Sequence, residues 1–289
     1  MMKIGVSAYS FNRYFRDSKM PLAEMVKAAA KLGFEGFEML PRYFKTGKGS
    51  AAQARELRKM LADAGLTLSC YTLGNDFGLP DGPGRQAVID EVRAEIDVAL
   101  LLGVRTCRVE STFGPKEGDK PTYAEMHARV VRGTKEVADY ALKYNIRLGV
   151  ENHGRYMAGL QQVLQLIKDV NSPAYGANPD IGNFLSVDDD PLEACRELAQ
   201  YTVHVHAKDF RRRSGVTPKP DGWYLTTGGW LLQGAVVGEG DVPVKACLQA
   251  LRTGGYDGFL SVEHESPEDP IDGLKRSLAN LKKMVGELE

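Results

Sequence analysis

Four strand-like segments in the second half of the chain each carry a metal-ligand side chain at or near the C-terminal end. RLGVE ends on Glu151, YGANPD ends on Asp180, VHVHAKD carries His206 and FLSVEHE carries Glu263. Three carboxylates and one imidazole form a hard, oxygen-rich set that suits Mn2+, Mg2+ or Co2+ better than a structural zinc. Taken singly, each is ordinary, since a strand-end acid commonly caps a helix or faces solvent. Gathered at a buried rim, they would repel one another unless a cation supplied the counter-charge. One shared divalent metal is therefore expected, manganese first, with magnesium, cobalt and zinc as the other choices.

The elements that must bring these residues together are legible as a repeated strand-then-helix rhythm. Short runs rich in β-branched residues alternate with longer stretches of helical periodicity. Strands are expected near 3–9, 36–40, 66–71, 104–110, 147–151, 175–179, 202–207 and 258–262. Helices are expected near 22–32, 51–64, 85–102, from Pro121 to 144, then 157–170, 191–200, 242–252 and 271–288. Three helices end in a helix–Gly–strand phrase, KLGFEGFEM, DAGLTLSCY and LLGVRTCRV, and LRTGGYDGFLSV repeats it before the last strand. A glycine just past the last helical turn is a usual helix stop.

Alternation of this kind implies parallel strands with crossover helices. Eight such units in 289 residues predict a single α/β domain, a closed (β/α)8 TIM barrel covering residues 1–289. An open doubly wound sheet would want a Gly-rich phosphate turn after an early strand, and the chain has neither GxGxxG nor GxxxxGK[ST]. In a barrel, Glu151, Asp180, His206 and Glu263 stand at the ends of strands five to eight. Those strands are neighbours on one rim.

Other residues fall on the same rim. His204 lies two residues before His206 and so shares its side of the strand. It could contact substrate, support a ligand or simply fill the barrel. His153 follows Glu151 by two residues and is a candidate substrate contact. Lys208 could reach a substrate oxygen, Asp209 or a rim carboxylate. Arg108 and Glu110 share a face at the end of strand four and are expected to form an ion pair, with Arg108 a candidate substrate contact. His264 should point away from the rim. In the GEGDVP turn, Asp241 is expected to cap the next helix with Pro243 in its first turn.

A long excursion after strand seven, about 209–240, breaks the rhythm. It holds both tryptophans, Trp223 and Trp230, which could stack on a sugar ring or pack within the loop. A substrate lid, a contact in a homo-oligomer and a surface hairpin are the three readings of this segment.

Charge and composition exclude several classes. The net charge is −1 with a pI near 6.5, so no broad basic field is available to attract nucleic acid. Arg211, Arg212 and Arg213 form the one dense basic run, suited to solvent or to a local anion. No apolar run approaches the length of a membrane span, and the chain begins on a strand rather than a signal sequence. The four cysteines show no zinc spacing. A cytoplasmic protein with a small-molecule partner is the expectation.

At these residues the chain resembles the xylose-isomerase-like barrel superfamily. The sugar-phosphate isomerase and epimerase group is nearest, together with hydroxypyruvate isomerases and inosose or dehydroshikimate dehydratases. KIGVSAYSF, KLGFEGFEM, LGVENH, PDIGN, HVHAKD, VGEGDVP and GYDGFLSVEHE carry the resemblance in order, over nearly the whole chain. It implies one metal held by Glu151, Asp180, His206 and Glu263, with Glu151 and Glu263 doubling as an acid/base pair on opposite faces of a sugar or keto-polyol. Proton removal α to the carbonyl gives an enediolate, and return of the proton gives epimerisation or isomerisation. Loss of a β-hydroxyl from the same intermediate makes the enzyme a lyase, as would cleavage of a keto-glycoside. Related barrels also carry a rim glutamate at the place of Glu38, which implies a substrate contact there. Many relatives have a substrate-touching histidine three residues after the strand-six aspartate. This chain has Asn183, which can hydrogen-bond a hydroxyl but cannot carry positive charge. An endonuclease shares the fold, but no histidine in strands two to four could build its three-zinc cluster. A non-catalytic binding barrel is the remaining alternative.

Overall fold

The computed structural model describes residues 2–17, 20–45, 47–215 and 218–288. Among them the barrel strands are β1 (Lys3–Ser7), β2 (Gly36–Met39), β3 (Thr67–Thr72), β4 (Thr106–Val109), β5 (Arg147–Glu151), β6 (Tyr175–Asn178) and β7 (Val205–Ala207). The eighth barrel strand is β11 (Phe259–Val262). The helices are α1 (Asn12–Arg16), α2 (Leu22–Leu32), α3 (Ala51–Asp63), α4 (Pro83–Leu102), α5 (Tyr123–Lys143), α6 (Leu160–Val170), α7 (Pro191–Leu198), α8 (Val244–Thr253) and α9 (Pro270–Gly286). All eight strands are parallel, in the order β6-β5-β4-β3-β2-β1-β11-β7, so the (β/α)8 barrel is present.

Local chemistry accounts for the helix ends. Gly33 and Gly103 stop α2 and α4 in the left-handed region at φ 91° and 78°, where a Cβ would be strained. Thr122 and Glu125 form a reciprocal capping box on α5. Pro121 therefore precedes the helix rather than opening it. Asp190 and Asp269 cap α7 and α9, each with proline next. The expected cap on α8 is corrected: the helix starts at Val244 behind Pro243, and the Asp241 carboxylate instead accepts from the Arg212 N–H at 2.6 Å. The five-residue α1 was not expected. No helix among the described residues is long and apolar enough to cross a membrane.

The two end strands of the sheet close the barrel through isolated bridges, Ala177 to Thr202 and Asp180 to His206. Two of the four expected ligands thus form the seam itself. The barrel interior is unusually small-sided where strands pair glycine with glycine, Gly5 against Gly36 and Gly149 against Gly176. A Cβ on Gly36 would lie 2.6 Å from the Phe259 ring. On Gly176 it would lie 2.2 Å from the Tyr201 carbonyl oxygen and 2.8 Å from Val203. Backbone cannot yield as a flexible side chain can, so Gly176→Ala is expected to destabilise the protein by about 1–3 kcal/mol. Chemical denaturation would register this as a lower midpoint at unchanged slope.

The excursion after β7 is a structure of its own. β8 (Asp209–Arg213), β9 (Tyr224–Leu225) and β10 (Leu231–Ala235) form an antiparallel sheet in the order β8-β10-β9. Two carboxylates anchor it, Asp209 buried and Asp188 partly exposed. Asp209 accepts the N–H groups of Phe210, Gly238, Gly240 and Val242 at 2.8–3.1 Å, joining both ends of the excursion. Asp188, at the end of the short turn Asn183–Val187 that follows β6, accepts from Thr226 at 2.8 Å, Thr227 at 2.9 Å and the Arg212 guanidinium at 3.0 Å. The sheet is thereby fixed over the C-terminal rim, on the β6 side.

Candidate metal centre

Strand periodicity sends alternate side chains of β5, β7 and β11 inward, and at the C-terminal rim those side chains are Glu151, His206 and Glu263. Asp180 joins them two residues past β6. Their ligand atoms lie within 4.8 Å of one another, and all four residues are buried. That spread is close to the ~4.2 Å between opposite ligands of an octahedral ion. His206 is the centre of the group. Its Nδ1 lies 3.0 Å from Glu151 Oε1, 3.5 Å from Glu263 Oε1 and 4.0 Å from Asp180 Oδ2.

Glu38 sets the face that His206 presents. Both Glu38 oxygens lie 3.1 Å from His206 Nε2. A carboxylate only accepts, so Nε2 carries a hydrogen, and Nδ1, which faces Glu151, would give its lone pair to a cation held at the rim. Thr72 donates to Glu38 at 2.6 Å, and His204 Nε2 lies 3.2 Å from Glu38 and 2.9 Å from the Ser261 hydroxyl. Burial opposes ionisation of Glu38, but the two histidines outweigh it and hold the carboxyl well below its usual range. Glu38 and His204 are both almost fully buried and lie outside the lining of the rim cavity. As substrate contacts they are therefore corrected: they lie beneath His206. Glu38→Gln is expected to weaken divalent-metal affinity by about 10–100-fold. Equilibrium dialysis against Mn2+ would measure it.

The rim carries its own cations. Arg108 forms ion pairs with Glu110 at 2.5 Å and with Glu151. Lys208, 3 % exposed, lies 2.9 Å from Asp180 Oδ2, 2.9 Å from Glu263 Oε2 and 3.3 Å from Glu265. It pairs with these rim carboxylates, while Asp209 is occupied by backbone. Burial would raise Glu263, yet His206 and Lys208 bring it down to about 2. Burial pushes Asp180 up, and the Glu263 charge adds to this while Lys208 and His206 oppose it. Asp180 Oδ2 is buried without a well-aligned hydrogen bond, whereas Oδ1 accepts the N–H groups of Gly182 and Asn183 at 2.9 Å. A buried carboxylate oxygen grouped with two further carboxylates and an imidazole, with Lys208 as its ion-pair partner, fits a divalent cation. The three oxygen ligands and one imidazole, with no thiolate, are of the type such a cation takes.

Above this floor is a cavity of about 500 Å³ lined by Tyr9, Arg108, Glu151, His153, Lys208 and Glu263 among others. The His153 Nδ1 lies 3.1 Å from Glu110, and its ring meets Phe113 edge-on. Asn183 donates to Glu151 at 3.4 Å and accepts from Lys208 at 3.3 Å. It lines an adjoining cleft of about 340 Å³ with Tyr9 and Tyr224. The tryptophans are elsewhere. Trp223 lies under Arg213 at 3.9 Å and Trp230 under Arg212 at 4.4 Å, and neither lines these cavities. Of the two readings, stacking on a sugar ring or packing within the loop, these contacts are of the second kind. The aromatic residues that do face the site, Tyr9, Phe113 and Tyr224, were not singled out from the sequence. Tyr9 follows β1 by two residues on its inward side, which is the periodicity that located the ligands. Tyr224 had no comparable signal.

A family model described as the xylose isomerase-like TIM barrel matches residues 26–284. The 3-oxo-isoapionate decarboxylase of Pectobacterium atrosepticum is 27% identical over 271 residues, 92% of this chain and 86% of that protein. The L-ribulose-5-phosphate 3-epimerase UlaE of Salmonella typhi is 25% identical over 260 residues, 86% of this chain and 84% of that protein. A xylose isomerase-like TIM barrel protein from Mycobacterium smegmatis, crystallised in complex with magnesium, superposes with a TM-score of 0.77 at 19% identity, covering 100% of this chain and 98% of that one. At that identity the likeness is one of fold.

Proposed function

The chain belongs to the xylose isomerase-like TIM barrel family, and from the site it carries we propose that it is a divalent-metal-dependent isomerase or epimerase of a sugar or keto-polyol. The reaction is proton abstraction α to a carbonyl through an enediolate. The observation that carries this reading is the placement of two glutamates about one histidine: Glu151 at 3.0 Å and Glu263 at 3.5 Å from the same His206 nitrogen, both open to the cavity.

Glu151, Asp180, His206 and Glu263 would hold the cation, Mn2+ or Mg2+ by the hardness of the set. When bound there, the cation supplies Lewis-acid polarisation of a carbonyl and counter-charge for the oxyanion. The chain does the rest. One glutamate removes the α-proton and the other delivers a proton from the opposite side, so that each carboxyl alternates between base and acid. Arg108 and Asn183 fix Glu151 on its side, and Lys208 fixes Glu263 on the other. Each glutamate is thus held in place by a buried cation. Lys208, Asn183 and His153 offer hydrogen bonds to substrate hydroxyls. The four free, buried cysteines fit a reducing, cytoplasmic setting.

A lyase on the same scaffold is the second reading, favoured by the decarboxylase that matches across 92% of the chain. Loss of carbon dioxide or of a β-hydroxyl passes through the same enediolate-type charge and needs the same protonating glutamate. Proton NMR in D2O with a panel of keto-sugars and Mn2+ separates the two. Deuterium uptake without loss of mass supports the isomerase or epimerase. Release of water, carbon dioxide or an aglycone makes the enzyme a lyase.

A further inference from the structure

The mouth of the cavity carries two positive charges that the chemistry at its floor does not use. Arg16 ends α1 and Arg42 lies in the short turn Pro41–Tyr43 after β2, and both line the cavity that holds Glu151 and Glu263. Arg42 sits 5.2 Å from the Tyr9 ring centre and 5.1 Å from that of Tyr43, and donates to the Tyr43 hydroxyl at 3.2 Å. The Tyr43 hydroxyl in turn lies 3.4 Å from the Asn12 side chain, so Asn12 and Tyr43 link the two guanidinium groups, which line the same cavity as Glu263. Arg16 has the Asn12 amide as its polar neighbour, at 3.2 Å. Among the described residues neither arginine forms an ion pair with a carboxylate.

The acids at this end of the cavity have partners of their own. Glu91 pairs with Lys48 at 2.8 Å. Glu95 accepts from the Tyr71 hydroxyl at 2.5 Å and the Gly49 N–H at 3.0 Å. The cavity is therefore polarised, with carboxylates at its floor and uncompensated guanidinium groups at its mouth. Stacking on two tyrosines pre-orients Arg42, and a guanidinium fork matches a carboxylate or phosphate with two parallel hydrogen bonds.

We propose that the substrate carries an anionic group, carboxylate or phosphate, at the end remote from its carbonyl, and that Arg16 and Arg42 hold it. The orientation rests on the proposed reading of the floor as the reacting end. Such a clamp makes the enzyme selective for acids or phosphate esters of sugars over neutral sugars, and aligns the carbonyl end with the two glutamates.

The test is calorimetric titration of the Mn2+-loaded protein with three probes of equal chain length: ribitol, D-ribonate and ribitol 5-phosphate. One charge-assisted pair is worth enough for an anionic probe to bind about tenfold or more tightly than ribitol. Arg16→Gln and Arg42→Gln together should remove that preference and leave Mn2+ affinity and ribitol affinity unchanged. The anionic probe that loses most identifies carboxylate or phosphate. Equal binding of all three probes, or a preference that survives in the double variant, overturns the proposal. The same titrations on metal-free protein keep the two readings apart. Failure to bind Mn2+ defeats the metal reading, while an arginine-dependent preference in the metal-free protein still upholds the clamp.

Discussion

Glu263→Gln is expected to lower kcat by about 10²–10⁴-fold, the usual contribution of a positioned general acid or base, and Glu151→Gln to do the same. Glutamine keeps the shape and one neutral oxygen but cannot accept the α-proton. The two losses differ in kind. If the carboxylates act from opposite sides, each variant should retain slow exchange of the α-proton with solvent for one epimer and lose it for the other. Deuterium incorporation followed separately on each epimer reads this directly. Glu263 is held by Lys208 at 2.9 Å and Glu151 by Arg108, so each substitution also takes one carboxylate partner from a buried cation that keeps others, and metal affinity must be measured beside the rate. Full activity of the Glu151→Gln, Glu263→Gln double variant would end the assignment of an acid/base pair.

The barrel and the grouping of the four rim residues were readable because both rest on short-range rules. Strand alternation and the helix–Gly–strand phrase place inward side chains within a residue or two, which is why Glu151, Asp180, His206 and Glu263 could be grouped without any contact information. What lies one layer down was not readable. Glu38 and His204 follow the same inward periodicity, and only the depth of each along its strand decides that they support His206 rather than meet a ligand. Lys208 and Asp209 show the same limit. Adjacent residues point opposite ways, one to the rim and one to the backbone of Gly238–Val242, and nothing local says which acid the lysine will find. The excursion after β7 was legible only as an interruption, because its antiparallel register depends on β8 meeting β10 across an intervening segment.

Divalent metal is expected to raise the thermal midpoint, and Asp180→Asn to abolish that rise. At a free Mn2+ concentration of about 100 times Kd, binding to the native state adds about 2.7 kcal/mol. For a domain of this size each kcal/mol moves the midpoint by about 2–4 °C, so the shift is roughly 5–10 °C. Asp180 is the decisive position because, among the described residues, its only cationic side-chain partner within ion-pair distance besides His206 is Lys208, which has other carboxylates to hold. Oδ1 accepts two backbone N–H groups, which an asparagine oxygen retains, while Oδ2 lacks an aligned partner. Lys208 loses its 2.9 Å contact to Asp180 but keeps Glu263 at 2.9 Å and Glu265 at 3.3 Å, so the metal-free midpoint should move less than the metal-induced shift of the natural protein. A structural carboxylate would show the reverse, a large loss without metal and an unaltered response to it. Scanning calorimetry of both proteins, with EDTA and with Mn2+, distinguishes the two patterns. A full metal response in Asp180→Asn would remove Asp180 from the ligand set.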